Sequence, residues 1–173
     1  MAKNIILVGF MGTGKSATGR MVANQLNREF VDMDAVIEER TGKKISAIFA
    51  EEGESHFRAL ERELVQELSA REDLVIGTGG GVVLNPDNIR DFNKTGVVIC
   101  LHADPDTILE RVAKDTHRPL LEGDDDKIKA IKELLAKREE LYRAIPLQIE
   151  TSHHTAAETA QEVVALYLGQ TQF

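Results

Sequence analysis

Ile5-Ile6-Leu7-Val8-Gly9-Phe10-Met11-Gly12-Thr13-Gly14-Lys15-Ser16 is the stretch on which the fold turns. Four apolar residues in a row, three of them β-branched, read as a buried strand. They run directly into Gly9 to Ser16, which matches G-x-x-x-x-G-K-[ST]. The periodic segment that follows, Lys15 to Asn27, reads as a helix with Met21, Val22 and Leu26 turned inward. A strand, a glycine-rich turn and a helix in that order make a cradle for phosphate. Its glycines let successive backbone N–H groups point at phosphate oxygens, and the helix N-terminus adds positive potential. Lys15 suits the β- and γ-phosphates, and the Ser16 hydroxyl suits Mg²⁺. Gly12, Thr13, Gly14, Lys15 and Ser16 are therefore candidate nucleotide-binding residues, with Phe10 and Met11 as packing or filler. The plainer alternative is a strand–turn–helix junction whose Lys15 is only surface charge.

Outward from this loop, apolar runs alternate with helical periods. Glu29 to Val31, Leu74 to Ile76, Val97 to Leu101 and Leu147 to Ile149 read as further strands. Helices are expected over Ala35–Arg40, Ser46–Ala50, Glu54–Ser69, from Pro86, from Asp104 to about Lys114, over Asp126–Tyr142, and over Thr155–Leu168 ending at Gly169. Asn85-Pro86 and Asp104-Pro105 are start signals, and Thr155 with Glu158 has capping-box spacing. Such alternation implies βαβ units: an α/β fold with a five-stranded parallel sheet between helical layers. No repeat or linker divides the chain, so residues 1–173 are expected to form one domain.

Of 173 residues, 42% are hydrophobic and 29% charged, which excludes a disordered or fibrous chain. No apolar run approaches the ~18 residues that span a bilayer, so no membrane partner is expected. The apolar stretch near Met1 is too short and too close to the end for a signal peptide. The net charge of −8 argues against nucleic acid as a partner. The single cysteine, Cys100, lies in the run Val97–Leu101; it suits a reducing compartment and reads as a small core residue.

A phosphate loop alone does not say where the phosphoryl group goes. Asp32 and Asp34 flank Met33 at the C-terminal end of the second strand, the edge where open α/β sheets bind ligands. One carboxylate there suits a metal, and the other suits an incoming hydroxyl that it orients or deprotonates. For Asp34 the competing role is an N-cap on the helix at Ala35. Gly79-Gly80-Gly81 follows another strand and makes room for close approach to the backbone, or is a generic loop. Arg58 and Arg62 share a helix face; alone they read as a solvated charge stripe, with Glu54 paired to Arg58.

Taken together these motifs resemble the shikimate kinase family. They run in order as Gly12–Ser16 with Gly19-Arg20, Asp32-Met33-Asp34 with Ile37-Glu38, Ile48-Phe49, Gly53-Glu54, Phe57-Arg58 with Glu61, Thr78–Gly81, Arg118–Leu121, and Arg138 with Leu141-Tyr142-Arg143. The resemblance covers residues 4 to about 150. It implies a three-layer αβα P-loop kinase fold with a small helical substrate-binding region at about 33–62 and a lid at about 113–125. It further implies transfer of the ATP γ-phosphate to the 3-hydroxyl of shikimate, with Mg²⁺, in the pathway to aromatic amino acids, by a cytoplasmic monomer. On that resemblance Asp34, Arg58, Arg138 and the Gly79–Gly81 backbone bind shikimate. Asp32 and Ser16 hold Mg²⁺, Arg111 packs near adenine, and Arg118 comes from the lid to the phosphates. Lys15, Asp34 and Arg118 are the catalytic candidates.

Two departures stand out. Many members carry an arginine and a proline near residues 151–157, where this chain reads Thr151-Ser152-His153-His154-Thr155-Ala156-Ala157. Ala17 replaces a frequent threonine, a change that leaves its backbone N–H free to donate to phosphate. The adjacent His153 and His154 have no partner ligands in the sequence and read as solvent-facing. The competing functions are another small P-loop kinase, acting on gluconate or a nucleoside monophosphate, and a regulatory nucleotide-binding module without catalysis.

Overall fold

Asn4–Val8 forms strand β1 with every residue buried, as expected of a parallel strand covered on both faces. The computed structural model describes residues 3–115 and 125–171. After β1 come α1 (Lys15–Leu26), β2 (Glu29–Asp32), α2 (Met33–Thr41), α3 (Ile45–Glu52) and α4 (Glu54–Ser69). Then follow β3 (Leu74–Gly77), a 3-10 turn (Val82–Leu84), α5 (Pro86–Thr95), β4 (Gly96–His102), α6 (Pro105–Asp115), α7 (Asp125–Arg143), β5 (Leu147–Glu150) and α8 (Ala156–Thr171). All pairings are parallel, in the order β2-β3-β1-β4-β5.

Side chains alternate along a strand, and the two faces of this sheet serve two cores. Ile6, Val8, Ile76, Val98 and Cys100 pack with Phe57, Leu64, Phe92 and Tyr142 on one side. Ile5, Leu7, Val75, Ile99 and Leu101 pack with Val22, Ala23, Val163 and Tyr167 on the other. So α1 and α8 cover one face, helices of the α4–α7 half cover the other, and the fold is a three-layer αβα sandwich. Each fully buried Ile or Leu contributes about 1.5–3 kcal/mol through burial, which makes the β3-β1-β4 centre a rigid base for loops. Cys100 is 0% exposed, and burial pushes its thiol up to about 11; it is a core residue, as read.

The topology decides where the chemistry goes. The chain leaves β1 toward β2 on one side, whereas β4 connects to β5 on the other. The loops after β1, β2, β3 and β5 therefore gather at the C-terminal edge of the sheet, where such a reversal opens a crevice. Among the described residues no helix is long and apolar enough to cross a membrane.

Two local expectations need correction, and a third lies outside what the structure describes. Met21 is 44% exposed: the buried stripe of α1 runs through Thr18, Gly19, Val22 and Ala23, because Gly19 lets the helix lie on the Phe30 ring that any Cβ there would strike. Helix α8 does not stop at Gly169 but continues to Thr171, whose hydroxyl donates back to the Tyr167 carbonyl at 3.1 Å. The lid expected at about 113–125 lies, apart from the last residues of α6 and the first of α7, outside the described residues. So does Arg118.

Candidate active site

The loop after β1 is built as the motif requires. Gly12 and Gly14 adopt φ of 75° and 95°, left-handed values that favour glycine. Gly14 caps α1 without any side-chain acceptor, so the first N–H groups of α1 are left for an anion. Thr13 is buried; its hydroxyl donates to the Phe10 carbonyl at 2.7 Å and stiffens the turn, which leaves its backbone as the part facing phosphate. Lys15 Nζ donates to the carbonyls of Gly9 and Phe10, the latter at 2.9 Å. Burial lowers its pKa to about 8, against the pull of Asp34 and, more weakly, Cys100 and Asp32.

Ser16 and Asp32 meet across the mouth of this loop. The Ser16 hydroxyl donates to Oδ2 of Asp32 at 3.1 Å, while Oδ1 accepts from the Ala35 N–H at 3.2 Å. Asp32, not Asp34, is thus the N-cap of α2. That frees Asp34, in the first turn, to face inward. Burial raises the pKa of the Asp34 carboxyl and Asp32 adds to the rise, with Lys15 and Arg58 opposing it.

The glycine loop after β3 is shaped by what presses against it. A Cβ at position 79 would stand 2.8 Å from Asp34 Oδ1 and 3.4 Å from Glu61 Oε2. At position 81 it would fall inside the Arg58 guanidinium. At position 80 it would lie 3.5 Å from Arg138 Nη1, and 3.7 Å from both Met11 N and the Tyr142 hydroxyl. Three absent side chains let an acid, two arginines and the phosphate loop converge on one backbone. The alternative of a generic loop falls.

Arg58 and Arg62, read as one stripe, part company. Arg58 is anchored by Glu61 at 3.0 Å and Glu54 at 3.3 Å, with its guanidinium 5.2 Å from the Phe57 ring centroid. Arg62 instead donates to Asp91 at 2.6 Å and Asn88 at 3.1 Å, tying α4 to α5 away from the glycine loop.

A cavity of about 620 Å³ joins the phosphate loop, including Ala17, to Asp32, Asp34, Gly79 and Gly80. Arg111 lines its far side and donates to the Gly12 carbonyl at 3.2 Å, and to the hydroxyl and carbonyl of Thr151 at 2.9 and 2.6 Å. A larger cavity, about 810 Å³, opens between α6, α7 and the β4–β5 end but touches neither Lys15 nor the glycine loop.

Comparison with known proteins places the whole chain. A family model described as Shikimate kinase matches residues 11–167. The chain belongs to the shikimate kinase family. It is 45% identical over 165 residues to the shikimate kinase of Thermodesulfovibrio yellowstonii, covering 95% of each chain. To that of Pelotomaculum thermopropionicum it is 46% identical over 162 residues, covering 94% of each. The shikimate kinase from Acinetobacter baumannii, solved in complex with shikimate, superposes with a TM-score of 0.88 at 37% identity over 100% of this chain and 97% of that one. A gluconokinase from Sinorhizobium meliloti 1021 superposes at 0.64 with 16% identity, over 98% and 94% of the two chains; that likeness is one of fold.

Within the shikimate kinase frame, three residues gain weight that the sequence reading did not give them. Glu61 is 2% exposed, with burial raising its pKa against the Arg58 charge; its position three residues after Arg58 was the available signal. Tyr142 donates its hydroxyl to the Gly80 carbonyl. The Thr151 hydroxyl donates to the Thr13 carbonyl at 3.0 Å, so this threonine belongs to the site although the loop that carries it departs from the family pattern. Two parts of that loop behave as read: Thr155 and Glu158 close a capping box with bonds of 3.2 and 3.1 Å, and His153 is exposed. His154 corrects the reading: it is half-buried and lines the phosphate-loop cavity, with Nδ1 3.3 Å from Glu162. Among the described residues no cluster of three His, Cys, Asp or Glu side chains is placed to hold a metal.

Proposed function

We propose that the chain binds ATP along the loop Gly12–Ala17 and shikimate between Asp34, Arg58, Arg138 and the Gly79–Gly81 backbone, and that it moves the γ-phosphoryl group to the shikimate 3-hydroxyl. The observation that carries this reading is the glycine loop, against which Asp34, Arg58 and Arg138 press and whose Gly79 and Gly80 line one cavity with Lys15 and Asp34. Two guanidinium forks suit a carboxylate, and an acid beside a backbone rich in N–H groups suits hydroxyls.

The reaction is phosphoryl transfer from ATP to an alcohol. The bond between the γ-phosphorus and the β–γ bridging oxygen breaks, a bond from phosphorus to the acceptor oxygen forms, and the hydroxyl proton leaves. Asp34 orients that hydroxyl and takes its proton; a carboxyl raised in pKa by burial is the better acceptor. Lys15, released from the carbonyls of Gly9 and Phe10, stabilises charge on the transferring group. Arg111 anchors the nucleotide side near adenine, and Arg118 is assigned to the phosphates from the lid.

The oxygens of Ser16 and Asp32 fit Mg²⁺, a hard cation that takes few protein ligands and relies on phosphates and water for the rest. When bound there, Mg²⁺ would neutralise charge on the ATP phosphates. We further read the chain as a single-domain cytoplasmic monomer without nucleic-acid partners. The net charge of −8 and the buried thiol support this, and light scattering tests the monomer.

The test is coupled ADP release with ATP and Mg²⁺, with and without shikimate. Release that depends on shikimate and is absent with gluconate or nucleoside monophosphates is the expected result. ADP release indifferent to shikimate, from folded protein that binds ATP, overturns the reading.

A further inference from the structure

Tyr142 is 5% exposed and sits on α7 four residues after Arg138, so the two share a helix face. Its ring meets Phe10 edge-on, with centroids 6.5 Å apart and planes at 77°. Its hydroxyl donates to the carbonyl of Gly80. The Phe10 carbonyl is one of the two that hold Lys15 Nζ. Tyr142 thus stands between the residue that holds the phosphate-loop lysine and the centre of the glycine loop. At Gly80 the atom nearest to where a Cβ would sit is Arg138 Nη1, at 3.5 Å.

We propose that Tyr142 is a positioning residue of the acceptor site: its hydroxyl fixes the Gly80 carbonyl, and its ring, leaning on Phe10, keeps the glycine loop and Arg138 at one spacing from the phosphate loop. A tyrosine that served packing alone would need only its ring, whereas here the phenolic oxygen reaches a backbone carbonyl of another loop. Burial raises the pKa of this phenol, with Arg138 opposing, which keeps the hydroxyl a donor. The end of α7 is itself pinned, since Gln148 Nε2 donates to the Tyr142 carbonyl at 2.7 Å. The effect is on geometry; Tyr142 touches neither a phosphate nor a reacting oxygen.

The inference rests on Arg138 and the glycine loop forming the shikimate site, so the experiment carries both. Tyr142→Phe keeps the ring and deletes the hydroxyl; Arg138→Ala and the double variant are measured beside it. The expected result is a KM for shikimate about tenfold higher in Tyr142→Phe, the equivalent of one hydrogen bond. KM for ATP and kcat stay within about twofold, and the effect is largely lost when Arg138 is already Ala. An unchanged KM for shikimate in Tyr142→Phe, with Arg138→Ala impaired, overturns the role of Tyr142 and leaves the acceptor site standing. Normal shikimate binding in Arg138→Ala overturns both. Equal loss of ATP and shikimate binding with a lower Tm would make Tyr142 merely structural and also overturns the proposal.

A second readout avoids changing Tyr142. The chain has no Trp and two Tyr, so Tyr167→Phe leaves Tyr142 as the sole tyrosine fluorophore. Shikimate added to that variant should shift its emission, with a midpoint at the shikimate Kd. Emission that stays flat through saturation, followed by activity or calorimetry, overturns the proposal.

Discussion

The Ser16 hydroxyl and the Asp32 carboxylate stand 3.1 Å apart, and the other oxygen of Asp32 holds the first turn of α2 through the Ala35 N–H. One side chain thus serves a helix and the position we propose for Mg²⁺, and the two duties can be separated. Asp32→Asn keeps an N-cap of equal rank but removes the negative charge. We expect thermal unfolding near that of the parent, with a Mg²⁺ requirement raised at least tenfold in ADP-release assays. Asp32→Ala should also lose about 1 kcal/mol of stability with the cap. An unchanged Mg²⁺ titration in Asp32→Asn would remove Asp32 from the metal site.

Gly79 is small because Asp34 needs the space. A Cβ there would meet Asp34 Oδ1 at 2.8 Å, a distance that forces the carboxylate aside. Gly79→Ala should therefore lower kcat by about 10- to 100-fold, the range expected for displacing a reacting group by a fraction of an ångström to one ångström. ATP binding, measured by calorimetry, should be preserved. If kcat survives, Asp34 is not the group that handles the hydroxyl.

Lys15 links activity to pH in a direction that can be worked out. Its pKa in the folded chain, about 8, lies below the ordinary lysine value of 10.5, so the unfolded chain binds the extra proton between those values. The buried charge therefore opposes folding in full below about pH 8, and that penalty is relieved as pH rises from 8 toward 10.5. ATP runs the other way, because its phosphates favour protonated Lys15. ATP affinity of the wild-type chain should fall as pH climbs through 8, while Lys15→Met should bind weakly at every pH, with a flat profile across that range. Calorimetric titrations from pH 6.5 to 9.5 decide it; a parallel fall in both proteins would assign the pH effect to another group.

Much of this architecture was legible in the residues because local rules and tertiary packing agree. Ile5 to Val8 is apolar throughout since both sheet faces are covered, Asn85-Pro86 starts α5 with a side-chain bond from Asp87 N at 3.0 Å, and the glycines of the phosphate loop need their φ values. What stayed illegible depends on neighbours distant in sequence. Periodicity puts Arg58 and Arg62 on one stripe; only Asp91 and Asn88, brought up by α5, separate them. Met21 turns outward because Gly19 seats α1 on Phe30 of the next strand. Asp32 takes the cap from Asp34 because α2 begins two residues earlier than the apolar pattern suggests. The reach of Thr151 to the phosphate loop spans 138 positions, and no local pattern encodes it.

Thr151 offers the last test. Its buried hydroxyl accepts from Arg111 at 2.9 Å and donates to the Thr13 carbonyl at 3.0 Å, so it holds an arginine of α6 and the phosphate loop in one arrangement. Thr151→Val preserves shape but takes the donor from the Thr13 carbonyl and one acceptor from Arg111, which keeps its bonds to the Gly12 and Thr151 carbonyls, a loss of about 1–3 kcal/mol. Because those partners lie on the nucleotide side, KM for ATP should rise about tenfold or more, with KM for shikimate within about twofold. Thr151→Ser, which restores the hydroxyl, should recover most of the loss. A variant that unfolds earlier yet keeps its KM for ATP would reduce Thr151 to a structural tie between β5 and the loop.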